Sequence, residues 1–435
     1  MQLALSPASQ WSPSALIAFR FFFVYFTIYI FPFPLNFIPG FHWLYQPLSD
    51  ITFNYVNEIT RSIRGVDYQS LVKPGGSGDT TYNYIQVFLF FTIAILTTIV
   101  WSIVDRKRNS YENLLYWLVI ILRYYLAVVM IGYGFAKVFK TQFPFPVVQR
   151  LMQTYGESSP MGLLWTFMGY SVAYNIFTGL GEVVGGLLLL FKRTTQLGAF
   201  IVIAVMSNVV MLNFAYDVPV KLFSSHLLFM AIFIVIPDLN RHLKFWFTNE
   251  IIEPVIKRPL YKNRTTQWMY YAAKGIFIIM VLVTHVWGGL QNTRVSAEGD
   301  MISQIKNSSF SGEYKVDTFI LNSDTIAENE LPTRRWSSIS IIKDNASIKH
   351  TDGGVTDWKF HSSGHHKKVV LLSKDLSTIG NYNFISLDSA TIQMSGIHNQ
   401  DTLTVLLTKT LKNEDDSFLL VSRGFHWINE YPYNR

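Results

Sequence analysis

Long apolar runs alternate with short charged ones over the first two thirds of the chain, and then the pattern changes. Seven runs of about 20 residues, the length a helix needs to cross a bilayer, fall at 15–38, 83–104, 114–138, 163–191, 195–215, 221–237 and 268–290. From about residue 310 the alternation has period two. Tyr314–Ile320, Trp336–Ile342, Val369–Leu372, Ser389–Met394 and Leu403–Leu407 read as short strands, separated by turn clusters such as Asp352-Gly353-Gly354. The predicted fold class is therefore a membrane all-α bundle of seven helices followed by a small all-β barrel or sandwich of six to eight strands. The first run has no basic segment before it and no small-residue cleavage site, so it reads as a retained anchor.

Charge orients the helices. The segments after the second, fourth and sixth runs hold eleven basic residues, among them Arg106, Lys107, Arg108, Lys192, Arg193, Arg241 and Lys244, against five in the opposite loops. The excess of Lys and Arg on one side predicts a cytoplasmic N-terminus and puts everything after residue 290, the β-domain included, outside. Trp11, Trp43, Trp101, Trp165, Trp246, Trp268 and Trp287 fall near helix ends, where interfacial aromatics belong. Residues 39–82 contain an interfacial stretch and the irregular Pro74-Gly75-Gly76-Ser77-Gly78-Asp79, and 241–267 reads as a basic surface segment.

Composition removes several kinds of chemistry. Half the residues are hydrophobic and 15% are charged, so lipid must solvate part of the chain. With no Cys there is no disulfide, thiolate metal site or thiol redox step. The net charge is +9 over residues 1–290 and −2 over 291–435, which suits cytoplasmic loops against anionic lipid and argues against a nucleic-acid partner.

Ionisable residues inside apolar runs are costly, which makes them the candidates for function. Arg123 in the third run and Glu182 in the fourth each lie about 14–15 Å from the inner helix ends at 1.5 Å per residue. Ala127, Met130, Gly134 and Lys137 share the Arg123 face, and Asn175, Gly179 and Gly186 share the Glu182 face. An Arg123–Glu182 contact between adjacent helices follows, either as part of a proton or substrate site or as a pair that fixes helix register. Toward the outer face lie Lys137, Asn208, Asn213, Asp217, Lys221, Ser224, Ser225 and His226. His226 could bond a quinone carbonyl or a neighbouring Ser or Asn. A haem would need an axial pair, and only His285 is otherwise deep, so haem is not expected. Asp217 has Lys137 or Lys221 as rim partners. His361, His365 and His366 sit in a Ser/Gly segment read as a solvated turn, so no metal site is expected. The aromatic terminus, Phe425-His426-Trp427 with Tyr431-Pro432-Tyr433, reads as a strand and cap or a docking patch.

Two of these segments resemble a known family. Arg123-Tyr124-Tyr125-Leu126-Ala127 through Gly134-Phe135-Ala136-Lys137 is similar to the first helix of DoxX-family membrane proteins, with its Arg and its Gly-x-x-Lys. Gly179-Leu180-Gly181-Glu182-Val183-Val184-Gly185-Gly186 resembles that family's second helix. The resemblance implies a DoxX-like four-helix unit over 114–238, preceded by a two-helix segment with a long outer loop at 1–113. A basic segment and seventh helix would follow at 239–290, and the β-domain at 291–435. It singles out Arg123, Gly134, Lys137 and Glu182. The family name derives from a subunit linked with thiosulfate:quinone oxidation, and the absence of Cys here argues against sulfur handling.

Two readings stand. In one the protein is a subunit or enzyme of a quinone- or lipid-linked redox process, with Arg123, Glu182 and His226 as catalytic candidates and Lys137, Asn208 and His226 as cofactor-binding candidates. In the other it is a non-catalytic scaffold or amphiphile carrier whose β-domain binds a ligand or a membrane or periplasmic partner.

Overall fold

The computed structural model describes residues 10–65, 79–146, 150, 155–248, 250, 263–298, 312–342, 345–363, 368–372, 378–388 and 390–410. The Gly-rich segment 74–78, His365, His366, the aromatic terminus and most of 249–262 lie outside them. The chain divides into two compact units, residues 1–145 with 158–292, and 146–157 with 293–435.

The first unit is helical. Its elements are α1 (Pro13–Ile30), α2 (Phe41–Arg64), α3 (Thr81–Val104), α4 (Glu112–Val138), α5 (Pro160–Tyr170), α6 (Val172–Leu190), α7 (Thr195–Ala215), α8 (Lys221–Val235), α9 (Leu239–Phe247) and α10 (Arg264–Glu298). Seven stretches are long and apolar enough to cross a membrane: Pro13–Phe37, Thr81–Val104, Glu112–Val138, Val172–Leu190, Thr195–Ala215, Lys221–Phe247 and Arg264–Gln291. They correspond to the seven predicted runs with one correction. The fourth run does not form a single helix from 163, because the chain breaks at Ser171. That residue turns extended, and its hydroxyl accepts from the Tyr174 amide to cap α6. The preceding α5 packs Leu164 and Met168 against Phe143 and Val218 at that end of the bundle.

Side-chain caps fix where helices begin. Ser12 caps α1, Thr80 caps α3 and Ser159 caps α5. The start of α8 is capped from a distance: the Asp79 carboxylate accepts from the amides of Lys221 (2.8 Å) and Leu222 (2.9 Å). The interfacial stretch expected in 39–82 is α2, whose Leu44, Leu48, Ile51 and Tyr55 form an exposed apolar stripe. Short α9, with exposed Phe245, Trp246 and Phe247, is the part of the basic surface segment that the structure describes.

The second unit is a closed antiparallel barrel, which decides between the two predicted β-architectures. Strands β1 (Gly312–Leu321), β2 (Asp324–Thr325), β3 (Trp336–Ile342), β4 (Asn345–His350), β5 (Val355–Ser363), β6 (Lys368–Leu372), β7 (Thr378–Ser386), β8 (Thr391–His398) and β9 (Asp401–Lys409) pair in order, and β1 returns to pair with β9. The two-residue β2 is an appendage of β1, so eight strands close the ring. Closure removes the free edges an open sheet would expose. Tight turns carry the connections: Asn399 and Gln400, both at positive φ, join β8 to β9.

Side chains fill the interior. Tyr314, Val316, Phe319 and Leu321 all face inward because a bulge between Val316 and Thr318 shifts the parity of β1. Trp336, Ile339, Tyr382, Met394 and Val405 complete the centre. The Tyr382 hydroxyl meets His398 Nδ1 at 2.6 Å, and burial pushes the His398 pKa down to about 4. His361 lies in strand β5 and not in a turn.

Candidate functional site

Glycines bring α4 and α6 together. A methyl group at Gly134 would fall 2.7 Å from the Gly179 carbonyl oxygen, and one at Gly186 would fall 3.0 Å from that of Ala127. Neither position tolerates a side chain without parting the helices, so the two backbones run in direct contact over these residues. Opposite Gly179 stands Gly134, and opposite Gly186 stands Ala127 with Ile131.

That register places Glu182 across from the C-terminal half of α4. Lys137 folds back along its own helix, and its ammonium donates to both Glu182 oxygens at 2.7 Å. Both residues are buried, with 6% and 2% of their surface exposed. The expected Arg123–Glu182 contact therefore does not form. Arg123 lies about 12 Å further along α4 than the level of Glu182, eight residues at 1.5 Å each. Its Nη1 donates to the Thr195 hydroxyl at 3.0 Å at the start of α7. The two matching depths were counted from helix ends that do not share a plane: α4 starts at Glu112, well before the level at which α6 ends.

The Lys137–Glu182 pair lines a cavity of about 660 Å³ among α4, α5, α6, α7 and α8. Phe143, Trp165, Phe177, Leu180, Val205 and Phe223 form much of its apolar wall. Its other polar groups are Gln142, Thr178, Asn208, Asn213 and Ser224. Asn213 Nδ2 donates to Ser224 Oγ at 3.0 Å, whereas the carbonyl oxygen of Gln142 is buried with no partner. Helices α6 and α7 touch closely at one end, where a methyl at Gly198 would fall 2.8 Å from the Leu189 amide. Farther along they bound the cavity, and lining residues Phe177, Leu180, Val184, Ala204 and Asn208 are exposed on the outer surface. These positions lie within spans of membrane-crossing length, so the surface they share is the one hydrocarbon covers.

Of the five sequence candidates, the structure brings Lys137, Glu182 and Asn208 to one cavity and leaves Arg123 and His226 outside it. His226 bonds neither a Ser nor an Asn side chain. Its Nδ1 lies 2.6 Å from the Leu222 carbonyl, which can only accept, so Nδ1 carries the proton and Nε2 accepts from the Tyr25 hydroxyl at 2.6 Å. Tyr29 stacks on the ring at 4.1 Å. Both ring nitrogens are thus satisfied by protein. At the rim, Asp217 pairs with Lys221 at 2.7 Å and not with Lys137.

Sequence reasoning missed Gln142, Thr195 and Tyr25 as partners. Only Lys137 had a usable signal: it follows Gly134 by one turn, so it stands beside the point of closest approach.

The family model DoxX matches residues 118–214, from α4 to the end of α7. A Bacillus subtilis (strain 168) protein described as uncharacterized, YwoB, is 32% identical over 141 residues, which is 32% of this chain and 87% of that protein. No solved structure matches. The two helices that build the Lys137–Glu182 pair fall within the matched region, and the chain belongs to the DoxX family of membrane proteins.

Proposed function

We propose that the helical unit binds an amphiphile that enters sideways from the hydrocarbon. The observation that carries this reading is the cavity itself: about 660 Å³, walled largely by aromatic and aliphatic side chains, bordered by lipid-facing residues, with one buried ion pair in its lining. A tail would lie against Phe177, Leu180 and Val205. A head group would reach Lys137, Glu182, Asn208 and the unpartnered oxygen of Gln142. The pair is net neutral, which favours a head group that hydrogen-bonds over one that must be neutralised.

Extraction of the purified protein and mass spectrometry of the bound organic molecules test this. The expected result is one amphiphile class retained through delipidation and lost from Ala204→Trp, which fills the mouth. Equal retention by both proteins would overturn it. A quinone is one member of the class, and the redox reading reduces to whether the retained molecule is one. A reduced-minus-oxidised spectrum of the same sample decides that.

The proposed topology has the N-terminus in the cytoplasm and the barrel in the periplasm of a bacterial inner membrane, and the basic residues of 106–108 and 192–193 support it. Because the chain has no Cys, single cysteines report cleanly. Ser323→Cys in the barrel should react with an impermeant maleimide on intact spheroplasts, and Lys107→Cys only after lysis. The reverse pattern would invert the assignment.

A further inference from the structure

Away from the cavity, Arg123 poses a separate problem. Only 5% of it is exposed, and among the described residues it pairs with no carboxylate. Its donors reach the Thr195 hydroxyl and the Tyr124 hydroxyl, and its Nε is buried without an acceptor among the described residues. The guanidinium otherwise faces the Tyr124 ring, 4.9 Å from the centroid. A second cation approaches from α10. Lys274 lies within electrostatic range of Arg123, with its ammonium 4.8 Å from the Phe191 ring centroid. It too forms no ion pair among the described residues. Tyrosine hydroxyls complete the surroundings: Tyr124 and Tyr270 share a hydrogen bond, and Tyr116 lies within range of Arg123. Two cations packed near one another without an anion is a costly arrangement anywhere, and more so beside hydrocarbon.

The level of this cluster identifies what resolves it. Arg123 is bonded to Thr195, and Lys274 sits over Phe191, so both lie beside the turn that joins α6 to α7. That turn exposes Lys192 and Arg193. Exposed charges of this kind do not settle in hydrocarbon, so the turn marks the plane of the lipid head groups. Arg123 and Lys274 are therefore at head-group height. The first turns of α4 and α10 continue past that plane, about ten residues or 15 Å at 1.5 Å per residue. Arg123 on α4 and Lys274 on α10 thus both lie at that level, beside the α6–α7 turn.

We propose that the phosphate of an anionic phospholipid binds between α4 and α10 at this level, with the Arg123 guanidinium and the Lys274 ammonium as its charged donors. Guanidinium and phosphate match as a fork of donors to paired oxygens. The phosphate charge also relieves the repulsion between the two cations. Tyr116 and Tyr270 stand near the two cations on α4 and α10 and offer hydroxyls to the glycerol end. The acyl chains would follow the exposed apolar surface of Ile276, Ile279 and Val283 along α10. This site is distinct from the cavity at Lys137 and does not depend on what that cavity holds.

Native mass spectrometry of the full chain, equilibrated in mixed micelles of phosphatidylglycerol and phosphatidylcholine at equal mole fraction, tests the proposal. Phosphatidylglycerol should be retained preferentially. Removing one cation, by Lys274→Gln or Arg123→Gln, should weaken its retention about fivefold. Lys244→Gln on α9, an exposed cation elsewhere in the unit, should leave it unchanged. Lys274 makes no hydrogen bond on which folding depends, so its variant keeps the test open if Arg123→Gln folds poorly. Equal retention of the two lipids, or undiminished phosphatidylglycerol retention in Lys274→Gln, would overturn the site. Displacement of the lipid by millimolar inorganic phosphate would reassign it to the free ion and overturn the lipid.

Discussion

Lys137 and Arg123 are two buried cations on one helix, about 40° apart around its axis at 100° per residue. Lys137 has a carboxylate held by both oxygens, and Arg123 has a hydroxyl and an unpaired nitrogen. What separates them is level. They stand about 21 Å apart along α4, and the glycine contacts bring Glu182 opposite the end that Lys137 can reach. The face a residue occupies follows from its spacing in sequence. The partner it meets follows from the axial register of two helices, which is set by glycines packing on backbone.

The largest effect should come from stranding a charge. Glu182→Ala leaves the Lys137 ammonium buried beside an apolar cavity and should lower unfolding stability by about 3 kcal/mol or more in a detergent titration. The double change Lys137→Met with Glu182→Leu should recover most of that loss, because neither charge remains. Pairing Glu182→Ala with Arg123→Gln should recover nothing. If the Arg123 double change rescued instead, the register described here would be wrong.

A change that attacks the register itself should come next. Gly134→Leu forces a side chain against the Gly179 carbonyl and Val183, where no flexible neighbour can yield. Overpacking of this kind costs about 1–3 kcal/mol. It should also displace Lys137 from Glu182, so that adding Glu182→Gln costs less in this background than alone. Additive losses would show that the glycine contact and the ion pair are independent.

These particulars explain how much was legible beforehand. Six of the seven spans follow directly from run length, since a bilayer imposes one length on every helix. The fourth was misread at its start because Val172, Tyr174 and the residues of α5 are as apolar as a span, and only the hydroxyl of Ser171 marks the break. Lys137, Glu182 and Asn208 were found because polar residues in apolar runs stand out. Their pairing was not, because loop charges locate a helix end only to within the distance by which helices overshoot the membrane. In the barrel, β1, β3, β6, β8 and β9 showed in the alternation. Strands β4, β5 and β7 did not: Asn345–His350 and Val355–Ser363 are mostly polar, and in Thr378–Ser386 the apolar Phe384 and Ile385 are adjacent and break the alternation.

Smaller effects belong to the Arg123 end. Thr195→Val removes the acceptor that Arg123 Nη1 meets and should cost about 1 kcal/mol. The loss should appear in zwitterionic detergent and shrink when phosphatidylglycerol is added, since a phosphate would accept what the hydroxyl no longer can. A loss that ignores the lipid would trace to the other bond of that hydroxyl, its donation to the Phe191 carbonyl at 2.9 Å.

The smallest effect should be that of Arg123→Gln, and it is the one that separates the two cations most sharply. Its removal strands no carboxylate, and Thr195 keeps its bond to Phe191. It also ends the repulsion with Lys274. In zwitterionic detergent the expected change in stability stays within about 1 kcal/mol, the size of a net hydrogen bond. Lys137→Gln under the same conditions leaves Glu182 buried with a weaker partner and should cost several times more. Equal costs for the two would mean that Arg123 has a counter-charge after all, and that both cations of α4 serve the same structural purpose.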